Sequence, residues 1–131
     1  MRKKIFLVLS LTIALILMAG CSKKEDKSTY TKISAEEAKK MMDEKGEIII
    51  LDVRTEEEYQ EGHIDGAILI PDNEIIETAE SILTDKSATI LVYCRSGRRS
   101  ANASKELSEL GYTNIYDFGG INNWKYDVVT E

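Results

Sequence analysis

The chain of 131 residues contains one histidine, one tryptophan, one proline and two cysteines. One imidazole and two thiols far apart in sequence cannot supply the nitrogen and sulfur ligands of a zinc site, so no metal and no cofactor is expected. An excess of basic charge is also missing. Lys and Arg number 17 against 23 acids, a net charge of −6, and a chain of that sign does not attract nucleic acid. There is no internal repeat and no low-complexity domain. No apolar run reaches the roughly 20 residues that a bilayer span needs: the longest covers 5–18 and is broken by Ser10 and Thr12. What is present is an ordinary globular composition, 43% hydrophobic and 31% charged, in a chain long enough for one domain with a modest core.

The apolar run follows the basic start Arg2, Lys3 and Lys4 and precedes Ala19, Gly20 and Cys21, the arrangement of a targeting signal. Met18-Ala19-Gly20-Cys21 resembles a bacterial lipobox, with Met18 where that pattern prefers Leu. The resemblance implies removal of 1–20 and a palmitate-type lipid on Cys21, which would hold the protein outside the cytoplasm on a bacterial membrane. A plain membrane anchor and an ordinary cleaved signal peptide are the alternatives. Removing 1–20 takes away three cations, leaving 14 against 23 acids and a balance of −9. With Cys21 lipidated, Cys94 is the sole free thiol and no disulfide can form within one chain. An unpaired thiol outside the cytoplasm is exposed to oxidation, so Cys94 reads as reactive. The polar segment 21–29 is a tether, and 30–131 is the domain.

Strand-forming and helix-forming stretches alternate through that domain. Tyr30–Ile33 is a short first strand. Ser34 and Glu37 form a capping box for a helix that runs to about Lys45. Glu47–Val53 is a continuous β-branched run, the pattern of a buried parallel strand. Thr55 and Glu58 form a second capping box for a short helix ending at Gly62. Gly66–Ile70 is a further strand, closed by Pro71. Asp72 or Asn73 caps a helix that turns Ile75, Ile76, Ala79 and Leu83 to the core. Ala88–Tyr93 is a strand, Gly97–Leu110 a helix, and Asn114–Asp117 the last strand. Gly119-Gly120 then turns the chain into a short helix carrying Trp124. The alternation predicts an α/β fold with a mostly parallel central sheet flanked by helices on both faces. Ligands of such sheets bind beyond the carboxyl ends of the strands.

Cys94 stands at one such end and Asp52 and Arg54 at another. The stretch Cys94-Arg95-Ser96-Gly97-Arg98-Arg99-Ser100 joins a buried strand to a helix start. Backbone N–H groups there favour negative charge, as do three arginines in a segment without an acid, and a thiol so placed ionises more readily than a free one. The local field opposes the global one, which points to a small anion as ligand. Such a thiolate can attack a sulfane sulfur or a phosphorus. Phosphatase-type loops carry their anion-binding arginine where Ser100 stands; here it is Arg99, so the ring is one residue smaller and suits a terminal sulfur better than a phosphate.

From Thr29 onward the chain resembles a single-domain rhodanese, a sulfurtransferase module. Asp52-Val53-Arg54 with Glu58-Tyr59 and Gly62 to Pro71 is similar to the family's N-terminal signature. Cys94 to Arg99 resembles its active-site loop, and Gly119-Gly120 with Trp124 its C-terminal signature. The stretch 125–131 departs from the Gly- and Pro-containing tail of many members. The resemblance implies that Cys94 takes a sulfane sulfur from an anionic donor such as thiosulfate and carries it as a persulfide. It then passes the sulfur to cyanide or a thiol, which could belong to a partner protein. Arg95 and Arg99 would meet the donor's anionic end, with Ser96, Gly97 and Arg98 completing the loop, while Asp52 and Arg54 brace the strand ends. A phosphatase or arsenate reductase on the same fold, and a non-catalytic module, are the rival readings. His63, Trp124 and the tyrosines read as structural.

Overall fold

The computed structural model describes residues 20, 29–44 and 46–131. The targeting signal, most of the tether and Cys21 lie outside the described residues. Among those described, no helix is long and apolar enough to cross a membrane.

Five strands form one sheet: β1 (Tyr30–Lys32), β2 (Ile48–Asp52), β3 (Ile68–Leu69), β4 (Thr89–Cys94) and β5 (Asn114–Gly120). Their order is β1-β5-β4-β2-β3, and every pairing is parallel. The helices are α1 (Ala35–Asp43), α2 (Glu56–Glu61), α3 (Ile75–Ile82) and α4 (Arg98–Glu109), with 3₁₀ turns at Asp72–Glu74 and Ile121–Asn123. Alternation along β4 assigns the two faces. Ile90, Val92 and Cys94 enter one buried cluster with Ile75, Ala79, Ala103 and Leu107 of α3 and α4. Leu91 and Tyr93 enter the other, with Ala38, Met41 and Met42 of α1 and with Trp124. Burying each of the larger side chains contributes about 1.5–3 kcal/mol, which makes β4 the spine of the domain. From β2 the chain moves outward to β3; from β4 it moves the other way, to β5. The switch point thus falls between the carboxyl ends of β2 and β4, where open parallel sheets bind ligands.

The box at Ser34 forms in full: its hydroxyl accepts from the Glu37 N–H at 3.0 Å, and the Glu37 carboxylate accepts from the Ser34 N–H at 2.8 Å. Four expectations need correction. The strand expected over Gly66–Ile70 is reduced to Ile68–Leu69, because it is an edge strand meeting β2 at two positions only. Neither Asp72 nor Asn73 caps a helix through its side chain; a 3₁₀ turn after Pro71 leads into α3. Ile75 and Ala79 point inward, while Ile76, about 100° round the helix from Ile75, is 62% exposed. Gly119 and Gly120 belong to β5, and Trp124 follows a 3₁₀ turn instead of riding on a helix.

Candidate active site

The loop after β4 is shaped by β5. Val92 pairs with Asp117, but Cys94 pairs with Gly120, so β5 holds one more residue than β4 across this interval. The extra residue is accommodated at Gly119, which adopts φ +83°, the left-handed conformation that glycine enters without steric penalty. The Asp117 carboxylate accepts from the Gly119 N–H at 2.9 Å and fixes this bulge. The bulge brings Gly120 beneath the loop. A Cβ on Gly120 would lie 2.1 Å from the Arg95 carbonyl oxygen and 2.7 Å from the Ser96 Cα, so the loop rests directly on the bare glycine backbone. The Asn122 N–H donates to that same carbonyl at 3.2 Å.

Cys94 ends β4 and is 1% exposed. The Gly97 N–H donates to its Sγ at 3.0 Å. Gly97 has φ +112° and occupies the N-cap of α4 without a capping side chain. The first N–H groups of this twelve-residue helix are therefore left to the loop interior, where they and the helix dipole favour an anion. Buried Ser100 closes the far side, its hydroxyl placed 3.1 Å from the Gly97 carbonyl and 3.3 Å from that of Gly119. Ser96 is exposed at the loop's tip.

The three arginines have different settings. The guanidinium groups of Arg95 and Arg98 are exposed, and among the described residues no hydrogen bond or ion pair holds either one. Arg99 is held. Its two terminal nitrogens donate to the two carboxylate oxygens of Glu58 at 2.7 and 2.9 Å. Arg99 thereby clamps α4 to α2, with its positive charge still close enough to interact with Cys94. Hydrogen bonds from Arg99 hold the Glu58 carboxyl down at about 2, well below its ordinary range, although partial burial opposes this.

Asp52 and Arg54 lie at the switch point, both buried. Arg54 Nε donates to Asp52 at 3.0 Å and a terminal nitrogen donates at 2.6 Å. The latter also reaches the Gly62 carbonyl at 2.7 Å, and the guanidinium sits 5.5 Å from the centre of the Tyr93 ring. The pair ties β2, the end of α2 and β4 together. Burial, followed by the Asp52 charge, pushes the Tyr93 phenol up, and its oxygen accepts from the Ile64 N–H at 3.1 Å. His63 stacks on Tyr59 at 3.6 Å and holds the Tyr59 carbonyl through Nδ1 at 2.8 Å.

Sequence reasoning missed Glu58, Gly120 and Asn122 as parts of the site. Glu58 fits a capping box with Thr55, so nothing in its local pattern asks for another partner. The Thr55 hydroxyl does accept from the Glu58 N–H at 3.2 Å, but the Glu58 carboxylate turns to Arg99 and the reciprocal half of the box is not made. The available signal for the bulge is Asp117 two places before a glycine pair.

A thiol at the switch point that accepts from the Gly97 N–H, at the uncapped start of α4 and between unpaired arginines in sequence, can act as a nucleophile toward a small anion. Comparisons with known proteins agree with this geometry. Residues 34–127 match the family model described as Rhodanese-like domain. Thiosulfate sulfurtransferase PspE of Escherichia coli (strain K12) is 45% identical over 71 residues, covering 54% of this chain and 68% of that protein. Thiosulfate sulfurtransferase GlpE of Coxiella burnetii is 35% identical over 97 residues, covering 73% and 88%. Among solved structures, a rhodanese with anions from E. coli superposes with a TM-score of 0.60 at 39% identity, covering 64% of this chain and 99% of the other.

Proposed function

The chain belongs to the rhodanese-like domain family, and on that footing we propose that it is a sulfurtransferase that carries sulfane sulfur on Cys94. The observation that carries the proposal is the Gly97 N–H donating to Cys94 Sγ at 3.0 Å, inside a loop whose helix start is uncapped. The names of the similar proteins, two of them thiosulfate sulfurtransferases, support thiosulfate as one donor.

In the first half-reaction the Cys94 thiolate attacks the outer sulfur of thiosulfate. The bond from that sulfur to the sulfonate breaks, its electron pair leaves with sulfite, and Cys94 becomes a persulfide. The loop's N–H groups stabilise the terminal sulfur as it takes negative charge. Arg95 and Arg98, unpaired at the rim, attract the donor; Arg99, braced by Glu58, holds the loop's far end in place. In the second half-reaction cyanide or a thiol attacks the outer sulfur and the electron pair of the S–S bond returns to Cys94.

Thiocyanate production from thiosulfate and cyanide tests the proposal, with Cys94→Ser as control and hydrolysis of a phosphate ester assayed in parallel. Thiocyanate formed by the unaltered chain and lost in Cys94→Ser is the expected result. Phosphate-ester hydrolysis without thiocyanate would overturn the proposal. We further propose that the activity is displayed outside the cytoplasm from a lipid on Cys21, a reading supported by the basic start, the short apolar run and Met18-Ala19-Gly20-Cys21.

A further inference from the structure

The segment 124–129 lies alongside the active loop and is anchored at both ends. At one end Trp124 packs on Phe118 at 5.7 Å, meets the Tyr126 ring edge-on at 4.8 Å and donates through its indole N–H to the Asp127 carbonyl at 3.3 Å. At the other end Val129 forms an antiparallel bridge with His63, with N–H to carbonyl distances of 2.9 and 2.8 Å. Gly62 faces the segment at ordinary contact distance, 3.5 Å from a Val128 methyl to where its Cβ would lie. Between this segment and the end of α2 runs a cleft of about 420 Å³. Trp124, Tyr126 and Val128 form its outer wall, and Arg95, the residue next to Cys94, contributes a free cation to it.

This cleft is larger than an inorganic donor fills, and one wall of it is apolar. Clefts of about 300–1,000 Å³ hold organic ligands, and a five-atom anion makes no use of an apolar wall. Tyr126 and Val128 are 39% and 47% exposed, so their apolar surface is available to a ligand. Of the charged groups around the cleft, Arg54 is taken by Asp52 and Glu58 by Arg99. Glu61 lies exposed on the α2 side, which leaves Arg95, adjacent in sequence to Cys94, as the cleft's unpaired cation among the described residues.

We infer that the segment 124–129 selects the acceptor. Trp124, Tyr126 and Val128 hold the organic body of a small thiol bearing a carboxylate, and Arg95 meets the carboxylate. The inference rests on the sulfurtransferase reading and names the acceptor's chemical class. In the transfer, the acceptor thiolate R–S⁻ attacks the outer sulfur of Cys94–S–SH. The bond to Cys94 breaks with its electron pair kept on Sγ, a new S–S bond forms on the acceptor, and R–S–SH and the Cys94 thiolate leave the step.

The test compares one full-length chain with its Tyr126→Ala and Val128→Asp variants, all pre-loaded with thiosulfate. Each is offered mercaptoethanol, which has neither carboxylate nor apolar ring, or α-benzyl-β-mercaptopropionate, which has both. Loading is read by intact mass and transfer by loss of the added sulfur. Both variants should load as the unaltered chain does and keep its KM for mercaptoethanol. Their KM for the benzyl acceptor should rise about tenfold, with little change in kcat. Tyr126 is surface-exposed, so Tyr126→Ala keeps the test valid if Val128→Asp disturbs the bridge to His63. Equal losses with both acceptors, or no loss with either, would overturn the inference while leaving the sulfurtransferase reading intact. Failure of the unaltered chain to load sulfur from thiosulfate would instead overturn that reading, and the inference with it.

Discussion

Gly120→Ala should disable the loop without touching any group that does chemistry. Gly120 has φ −120° and ψ 147°, an extended conformation open to any residue, so alanine meets no backbone strain. The obstacle is contact alone. The new methyl would lie 2.1 Å from the Arg95 carbonyl oxygen, 2.5 Å from its carbon and 2.7 Å from the Ser96 Cα, whereas ordinary contact begins near 3.4 Å. All three are backbone atoms and cannot rotate away. The loop must lift by more than about 1 Å, and a displacement of that size at a reacting group costs on the order of a hundredfold in rate. It also strains the Asn122 N–H bond to Arg95. Overpacking of this kind destabilises by about 1–3 kcal/mol, a fall of roughly 4–20 °C in Tm for a domain this size. Gly119→Ala is the matched control. Gly119 has φ +83° and open space where its Cβ would go, so alanine there incurs the left-handed backbone cost of about 1–2 kcal/mol with no direct push on the loop. Thiosulfate–cyanide turnover and thermal unfolding of both variants are the assays. Gly120→Ala should lose far more rate than Gly119→Ala at comparable loss of Tm. A Gly120→Ala chain with turnover within about threefold of the original would refute the seating of the loop on Gly120.

The Glu58–Arg99 pair carries an acid-sensitivity prediction. Glu58 titrates at about 2 in the fold against an ordinary 4.5, so its contribution is complete above pH 4.5 and is lost as the pH falls through 2. That difference corresponds to about 3 kcal/mol, and solvent screening of a pair one-fifth exposed brings the expected loss to about 1–2 kcal/mol. Glu58→Gln should show a flatter decline of stability between pH 4.5 and 2 in urea titrations than the original chain; equal slopes would contradict the pairing. Arg99→Ala should cost about tenfold to a hundredfold in turnover, because it leaves Glu58 unpaired and frees the loop's far end, whereas exposed Arg98→Ala should cost a few-fold at most. Similar losses at both positions would show that the arginines divide their roles differently. Expression in a bacterial host with labelled palmitate should mark the original chain and not Cys21→Ala; equal label in both would remove the lipid anchor.

Strong local signals in the sequence correspond to real elements. The β-branched run before Asp52, the apolar run before Cys94 and the box at Ser34 each have one low-energy solution, and each forms. The candidate nucleophile was legible for the same reason: a cysteine between a buried strand and a helix start has few structures open to it. The features that escaped depend on groups distant in sequence. Glu58 fits a local capping pattern in the sequence, yet its carboxylate serves a residue 41 positions away. The glycine pair reads as a turn, yet it forms a bulge whose purpose is the backbone of another strand's loop. Ile76 illustrates phase: Ile75, Ala79 and the C-cap Leu83 take the buried face of α3, and Ile76, about 100° round the helix from Ile75, is left to solvent.

The central claim is that Cys94 holds transferable sulfur, and intact mass spectrometry of the purified chain after thiosulfate treatment tests it most directly. The chain should gain one sulfur, about 32 Da, and lose it again on addition of cyanide, with one thiocyanate released for each sulfur removed. Cys94→Ser should gain nothing under the same conditions while keeping its fold, since the change is nearly isosteric. A mass gain that persists in Cys94→Ser, or no gain in the original chain with thiosulfate or any other sulfane donor, would contradict it.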